Sequence, residues 1–330
     1  MNTKHAKSSC CSAKVIRYGQ KRRQCTGCLR TWRIRPKRVG RKRKRSQSDL
    51  AIKFLSGARL SSYSIAQNSK ASEDMLNRRL RKSLQKFNKE TPYPKLPTDK
   101  QLIVIADAMV QEIENKRCAV YFILVKSHKS NEAYIAAPYF EEGVESYLGW
   151  FNAFDSLPKP VVKNIIAIVS DGHKGLVALA KINGWLMQRC HFHILSHLQG
   201  RRSKGRFSRH RQVGEEIFVL ARDILTNRCE ENIKESMHKL KRIHDESGSP
   251  VLKRIIRGFL RNHKQFRTYI DHPDLNLPTT SNSAESMISC VRNLLRRAKG
   301  FRTEASLKEW IEGLVKCRKR IKNNGSHQPN

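Results

Sequence analysis

The chain has 330 residues, with 66 Lys and Arg against 28 Asp and Glu, a formal net charge of +38 and a pI near 10.3. A hydrophobic content of 38% allows one sizeable core and excludes a wholly disordered chain, while the longest apolar run, Cys118–Val125, falls far short of the roughly 20 residues that cross a bilayer. A soluble protein this basic needs a polyanionic partner, and nucleic acid is the first candidate.

In chain order, the N-terminus begins Met1-Asn-Thr-Lys-His without an apolar signal core, so export is not expected. The nine cysteines are odd in number and unevenly placed, which argues for a reducing compartment with metal-bound or buried thiols. A cytoplasmic, nucleoid-associated location follows. Cys10-Cys11, an apolar Val15-Ile16 pair and Cys25-x-x-Cys28 read as a zinc-ribbon-like hairpin over residues 1–37. The second knuckle is regular. The first is defective, since Ser8 stands three before Cys11, and either Cys10 or His5 must supply the missing ligand. The pattern permits one tetrahedral Zn²⁺ on Cys10, Cys11, Cys25 and Cys28 without requiring it.

Residues 38–46 form a basic linker. Its run Arg41, Lys42, Arg43, Lys44 and Arg45 makes sense mainly beside phosphates, because five consecutive cations repel one another. Residues 47–90 read as short helices: Leu50–Leu55, a second around 60–66, and a third from its N-cap Ser72 to about Leu84. The third carries Arg78, Arg79, Arg81 and Lys82, as the recognition helix of a helix-turn-helix would. The stretch Thr91-Pro-Tyr-Pro-Lys-Leu-Pro97 reads as a boundary.

From residue 100 the texture becomes α/β. Three β-rich runs (102–106, 118–125, 133–137) form a meander, followed by a helix near 145–154, a buried strand 165–169, a helix from His173 and a strand at Trp185. Residues 100–194 are the first part of this core. Helical periodicity takes over in 195–277, an all-helical insertion, and residues 278–320 return to the core; the tail beyond Arg320 is simply polar.

Three acids stand out by position. Asp107 is expected to end the first strand, Asp171 ends the buried strand at Ser170-Asp-Gly, and Glu285 opens a helix. At 100° per residue, Glu285, Ser289, Arg292 and Arg296 share one stripe of that helix, over an underside of Met287, Ile288, Val291, Leu294 and Leu295. A metal-binding acid beside phosphate-binding arginines explains this stripe better than a salt bridge does. Three carboxylates gathered without a counter-ion would repel, and two divalent cations remove the conflict. Oxygen-only ligation points to Mg²⁺, with Mn²⁺ as a substitute. Cys190 and His193 also have ligand spacing, but no further ligand pair lies near them in the chain. Asn282 and Ser283 are candidates to cap the Glu285 helix.

Strand-Asp107, Ser170-Asp171-Gly172-His-Lys-Gly175, Arg189-Cys190-x-x-His193 and Thr279-Thr-Ser-Asn282-x-x-Glu285 through Arg296-x-x-x-Gly300 together resemble the Mutator-like DDE transposases of bacterial insertion sequences. The resemblance runs from about residue 8 to 315. It implies an RNase H-like mixed sheet with an all-α insertion, preceded by the zinc-ribbon-like hairpin and helix-turn-helix. It makes Asp107, Asp171 and Glu285 the catalytic, metal-binding acids, and Cys190, His193 and Asn282 signature residues with a structural or DNA-positioning role. Implied partners are double-stranded DNA, as element ends and as target, and a homodimer or higher assembly on that DNA. No membrane and no nucleotide cofactor are implied. The alternatives are a DNA-binding regulator derived from a transposase, and a nuclease that cuts without joining.

Overall fold

The computed structural model describes residues 10–19, 22–33, 48–56, 72–202, 211–298, 301 and 303–322. His5, the basic run Arg41–Arg45 and the helix expected around 60–66 lie outside these residues. The chain divides into two compact units, residues 1–46 and 47–330.

The first unit is a three-stranded antiparallel sheet of β1 (Val15–Arg17), β2 (Arg22–Cys25) and β3 (Thr31–Arg33). Val15 lies opposite Cys25, and Gln24 opposite Thr31. This register brings Cys10 and Cys11, just ahead of β1, against Cys25 and Cys28 in the β2–β3 turn. Cys10 Sγ is 3.2 Å from Cys28 Sγ, and Cys11 Sγ is 3.1 Å from Cys25 Sγ. The adjacent pair Cys10-Cys11 thus completes the set that the irregular first knuckle left open.

The second unit is built on a seven-stranded mixed sheet. Its strands are β4 (Leu102–Ile113), β5 (Lys116–Ser127), β6 (Glu132–Ile135), β7 (Tyr139–Glu142), β8 (Ile165–Ser170), β9 (Leu186–Arg189) and β10 (Arg320–Lys322). The order is β10-β6-β5-β4-β8-β9, with β7 also on β5. β4 and β5 form a twelve-rung antiparallel hairpin, turned by Glu114 and Asn115, both at positive φ (49° and 65°). β8 runs parallel to β4, and β9 parallel to β8. One expectation is corrected: the first strand continues well past Asp107, because Met109 and Ile113 extend the alternating pattern into the hairpin. Arg320–Lys322 forms a short strand that pairs with β6.

The period of two along β4 and β5 divides the interior into two layers. Leu102, Val104, Ala106, Ala119, Tyr121 and Ile123 pack beneath α3 (Tyr147–Asp155), α4 (Lys159–Lys163) and α5 (Lys174–Asn183), around the buried Trp150; α1 and α2 are the earlier helices Ser48–Leu55 and Glu73–Glu90. Ile103, Ile105, Val120, Phe122 and Leu124 face the opposite layer, which contains α1, α2, α10 (Asn282–Ala298) and α11 (Glu304–Arg318). The helix capped by Ser72 reaches Glu90 because Leu76, Leu80, Leu84 and Phe87 continue its buried stripe against α11. The Phe54 ring of α1 lies tilted at 57° to that of Trp310, with centroids 5.1 Å apart, and Asn88 Nδ2 donates to the Glu309 carbonyl at 2.8 Å. Helices on both sides of the Pro-rich stretch therefore share one hydrophobic core.

Between β9 and α10 lie α6 (His191–Arg202), α7 (Arg211–Thr226), α8 (Glu230–Glu246) and α9 (Pro250–Asp271), which enclose their own core of Ile217, Ile224, Leu240, Ile256 and Phe259. α9 returns along the sheet edge. Gln188 Nε2 donates to the Phe266 carbonyl at 3.0 Å, the Tyr269 amide donates to Gln188 Oε1 at 2.9 Å, and Thr268 Oγ1 donates to the Met187 carbonyl at 2.6 Å. Burial pushes the His191 pKa down to about 4. The neutral ring accordingly donates from Nε2 to the Phe266 carbonyl at 2.7 Å. These bonds cover the β9 edge, which would otherwise present unpaired backbone. Among the described residues, no helix is long and apolar enough to cross a membrane.

Phe54 is 1% exposed. Phe54→Ala should lower unfolding free energy by about 3–5 kcal/mol in a urea titration and keep a single transition. A loss below about 1 kcal/mol would place α1 outside the common core.

Candidate active site

Backbone register sets the site. Ile105 of β4 pairs with Val169 of the parallel strand β8. Two residues further on, Asp107 and Asp171 therefore arrive side by side: Asp107 within a strand that continues, Asp171 just past the end of one that stops. Asp107 shares the odd-numbered parity of Ile103 and Ile105, so it faces the layer containing α10, whose first turn carries Glu285. Burial foremost, then the Asp171 charge and more weakly that of Glu285, push the Asp107 pKa up to about 7, against an opposing hydrogen bond from the Ala108 amide. The three acids are thus in electrostatic reach of one another.

Each is held differently. Asp171 Oδ1 accepts from the His173 amide at 2.8 Å in a tight turn. Gly172 at its centre has φ +89°, and a Cβ there would lie 2.0 Å from Arg189 Nε. Only glycine suits both constraints. Arg189 NH2 donates to the Gly172 carbonyl at 2.7 Å, and its guanidinium lies over the Phe266 ring. Burial pulls the Arg189 pKa down, and the Asp171 charge opposes this. His173 caps α5, accepting from the Gly175 amide on Nδ1. The same nitrogen lies 3.3 Å from Glu145 Oε1, which accepts from Trp150 Nε1 at 2.7 Å. Burial first, with Asp171 adding to it, raises the Glu145 pKa.

Glu285 is gripped on one oxygen. Oε1 accepts from Ser281 Oγ at 3.0 Å and from Cys190 Sγ at 3.8 Å, and it lies 3.6 Å from His193 Nδ1. Cys190 Sγ in turn accepts the Ser281 amide at 3.2 Å. The Cys190 thiol foremost, with the Glu285 and Asp171 charges, raises the His193 pKa to about 9 against the pull of burial. His193 is therefore an imidazolium at neutral pH. The signature pair does have a third neighbour: the donor atoms of Cys190, His193 and Glu285 lie within 4.8 Å of one another. At the head of α10, Ser281, not the exposed Asn282, holds the position preceding the helix, with its carbonyl accepting the Glu285 amide at 3.0 Å.

Along α10, Ser289, Arg292 and Arg296 are exposed, while Met287, Ile288, Val291 and Leu294 are buried and Leu295 is partly so. The stripe expected from the spacing is on the surface, although Arg296 NH2 also donates to Asn293 Oδ1 at 2.6 Å. Arg78 and Arg79 are exposed on α2. Sequence reasoning missed Ser281, Arg189, Glu145, Gln188 and His191 as working residues. Ser281, Arg189, Gln188 and His191 carried a signal only as members of the stretches around Glu285 and Cys190.

The cysteine cluster of the first unit is a second candidate site. All four Sγ atoms lie within 4.8 Å of one another. A backbone hydrogen bond at Arg30 works to lower the Cys28 pKa, but the neighbouring thiols, Cys10 first, carry it up to about 11. A crowd of thiols that resists ionisation in this way is the donor set a soft cation would relieve.

Residues 50–318 match the family model described as "Transposase, Mutator family". No curated protein matches the chain.

The Asp107 pKa gives a pH test in metal-free protein. Folded Asp107 holds its proton to about pH 7, against an ordinary value of 3.8. The native state thus binds the extra proton across this window, and stability falls as pH rises through it. Asp107→Asn should be more stable than wild type at pH 8, by roughly 1–3 kcal/mol, and equal to it near pH 4. A stability difference that does not change with pH would contradict a raised Asp107 pKa.

Proposed function

The chain belongs to the Mutator family of transposases, and we propose that it binds the terminal inverted repeats of its element and cuts and rejoins DNA with a divalent-metal site on Asp107, Asp171 and Glu285. What supports this reading is that β4, the end of β8 and the head of α10 carry Asp107, Asp171 and Glu285 into one another's electrostatic reach, with burial first and then the charges of Asp171 and Glu285 pushing Asp107 up to about 7. An all-oxygen set of this kind fits Mg²⁺, or Mn²⁺ in its place. Two such ions, when bound, would activate the attacking oxygen and stabilise the leaving oxygen of an in-line phosphodiester displacement.

The chain's own residues do the rest. Ser281 and Cys190 fix one oxygen of Glu285, so the carboxylate keeps a set orientation. The imidazolium of His193 offsets part of the negative charge until metal arrives. Arg189 and Gly172 hold the turn that presents Asp171. Arg292 and Arg296, exposed along α10 below Glu285, are suited to phosphates flanking the scissile bond. In the first step water attacks the phosphorus and frees a 3′-OH and a 5′-phosphate. That 3′-OH then attacks a target phosphodiester, making a new bond and releasing a target 3′-OH. Neither step needs a covalent protein–DNA intermediate or a nucleotide cofactor.

The core is proposed to be RNase H-like. Three antiparallel strands β4-β5-β6 and two further strands parallel to β4 on its other side support this. Cys10, Cys11, Cys25 and Cys28 would hold one Zn²⁺, making the first unit a zinc ribbon that contacts DNA ends together with Arg41–Arg45. Arg78 and Arg79 of α2 would contact DNA as part of a helix-turn-helix. Pairing of two ends implies at least a homodimer on DNA.

The test is incubation with end-containing DNA and Mg²⁺. Wild type should nick and join, and Asp107→Ala, Asp171→Ala and Glu285→Ala should each lose at least about a thousandfold of that activity while still binding DNA. Binding without cleavage under Mg²⁺ or Mn²⁺ would favour a DNA-binding regulator, and cleavage without joining a nuclease. Elemental analysis should find about one zinc per chain, lost in Cys25→Ser. Wild-type protein purified without zinc and unable to take it up would contradict the ribbon site.

A further inference from the structure

The insertion helix α9 has an outer face unlike its neighbours. Its exposed residues between Val251 and Ile270 are Arg254, Arg257, Arg261 and Lys264, and every one is a cation. At 100° per residue these four fall within about 80°, in a stripe about 15 Å long. Among the described residues, no carboxylate pairs with any of them. On the adjacent helix α8 the exposed charges are of both signs and some pair along the helix: Lys234–Glu230 at 3.8 Å and Lys239–Glu235 at 2.6 Å. That is how a solvated helix face is ordinarily arranged. Four unpaired like charges a turn apart are destabilising unless an extended anion runs beside them.

The stripe also has a direction. The C-terminal third of α9 is clamped to β9 through Phe266, Thr268 and Tyr269. Arg189 lies over Phe266 and reaches the Gly172 carbonyl, next to Asp171. Arg261, one turn before Phe266, is close enough to Arg189 to oppose its charge. The cations therefore begin beside the Asp171 turn and run outward along the insertion.

We propose that Arg254, Arg257, Arg261 and Lys264 form a phosphate track for the duplex DNA that leads into the carboxylate site. The track rests on the DNA-cleaving role proposed above and adds to it the surface that holds the substrate duplex. Its contacts are to backbone phosphates, so it contributes affinity without sequence preference. A stripe of this length spans about four base pairs at roughly 3.4 Å per step.

The test uses the full chain and a short fluorescein-labelled duplex, read by anisotropy across a salt series. Each neutralised phosphate contributes about 0.9 to the slope of log K against log salt. A variant with Arg254→Ala, Arg257→Ala and Arg261→Ala should have a slope shallower by about 2–3. A control with Lys239→Ala, Lys241→Ala and Arg242→Ala on α8 should change it by less than about 1. Replacement of the same three arginines by Lys should keep the wild-type slope, which separates lost charge from a misfolded helix. In Mn²⁺-dependent nicking of plasmid, the triple-alanine variant should need at least about tenfold more DNA, with its rate restored at saturation.

If wild type binds duplex and the α9 variant matches the α8 control, the track is wrong and the cleavage site is untouched. If binding weakens while the nicking KM stays unchanged, the stripe holds some other DNA and the assignment also fails. A wild type that binds no duplex at low salt would overturn the DNA-cutting role and the track together.

Discussion

The placement of Asp107 in a partly buried position beside two further carboxylates, Asp171 and Glu285, is the constraint on which the rest of the second unit bears. Asp107 and Asp171 stand side by side because β4 and β8 are parallel and paired at Ile105 and Val169. A slip of one residue in that register would turn Asp107 to the opposite face, away from Glu285. Such a slip is costly here, since Ile103, Ile105 and their neighbours would exchange layers with Leu102, Val104 and Ala106. The hydrophobic alternation that stabilises the sheet also holds the like charges together.

The surrounding polar groups make sense as supports for that cluster. Ser281, Cys190 and His193 converge on one oxygen of Glu285. Arg189 lies under the Asp171 turn, in the space left by the absent side chain of Gly172. Gln188 and His191, on either side of Arg189 and Cys190, bind the insertion to the sheet edge. The segment 188–193 thus serves the acids on one side and the helical insertion on the other. This gives the insertion a fixed position relative to the three acids, which a flexible appendage would lack.

Much of this was legible in the chain. Alternation marked the β4–β5 pair and the buried strand, helical spacing marked the insertion, and the 100° rule separated the exposed arginines of α10 from its buried underside. The misses share a physical cause. Asp107 looked like a strand terminus because a polar residue interrupts an apolar run, yet β5 continues to pair with β4 long after β8 has left it. Arg320–Lys322 carries too little apolar character to signal a strand, and it becomes one only because β6 offers an open edge. Gln188 and His191 act through backbone carbonyls some 75 residues away or more. No local pattern encodes such a partner. Cys10 was one of two candidate ligands in sequence, and only the hairpin register brings its sulfur against Cys28.

The most direct measurement of the central claim is anomalous diffraction from crystals grown with Mn²⁺. The account predicts manganese peaks bounded by Asp107, Asp171 and Glu285, and their loss in Asp107→Asn. Manganese absent from that position in wild type, or bound instead by Cys190 and His193, would contradict it.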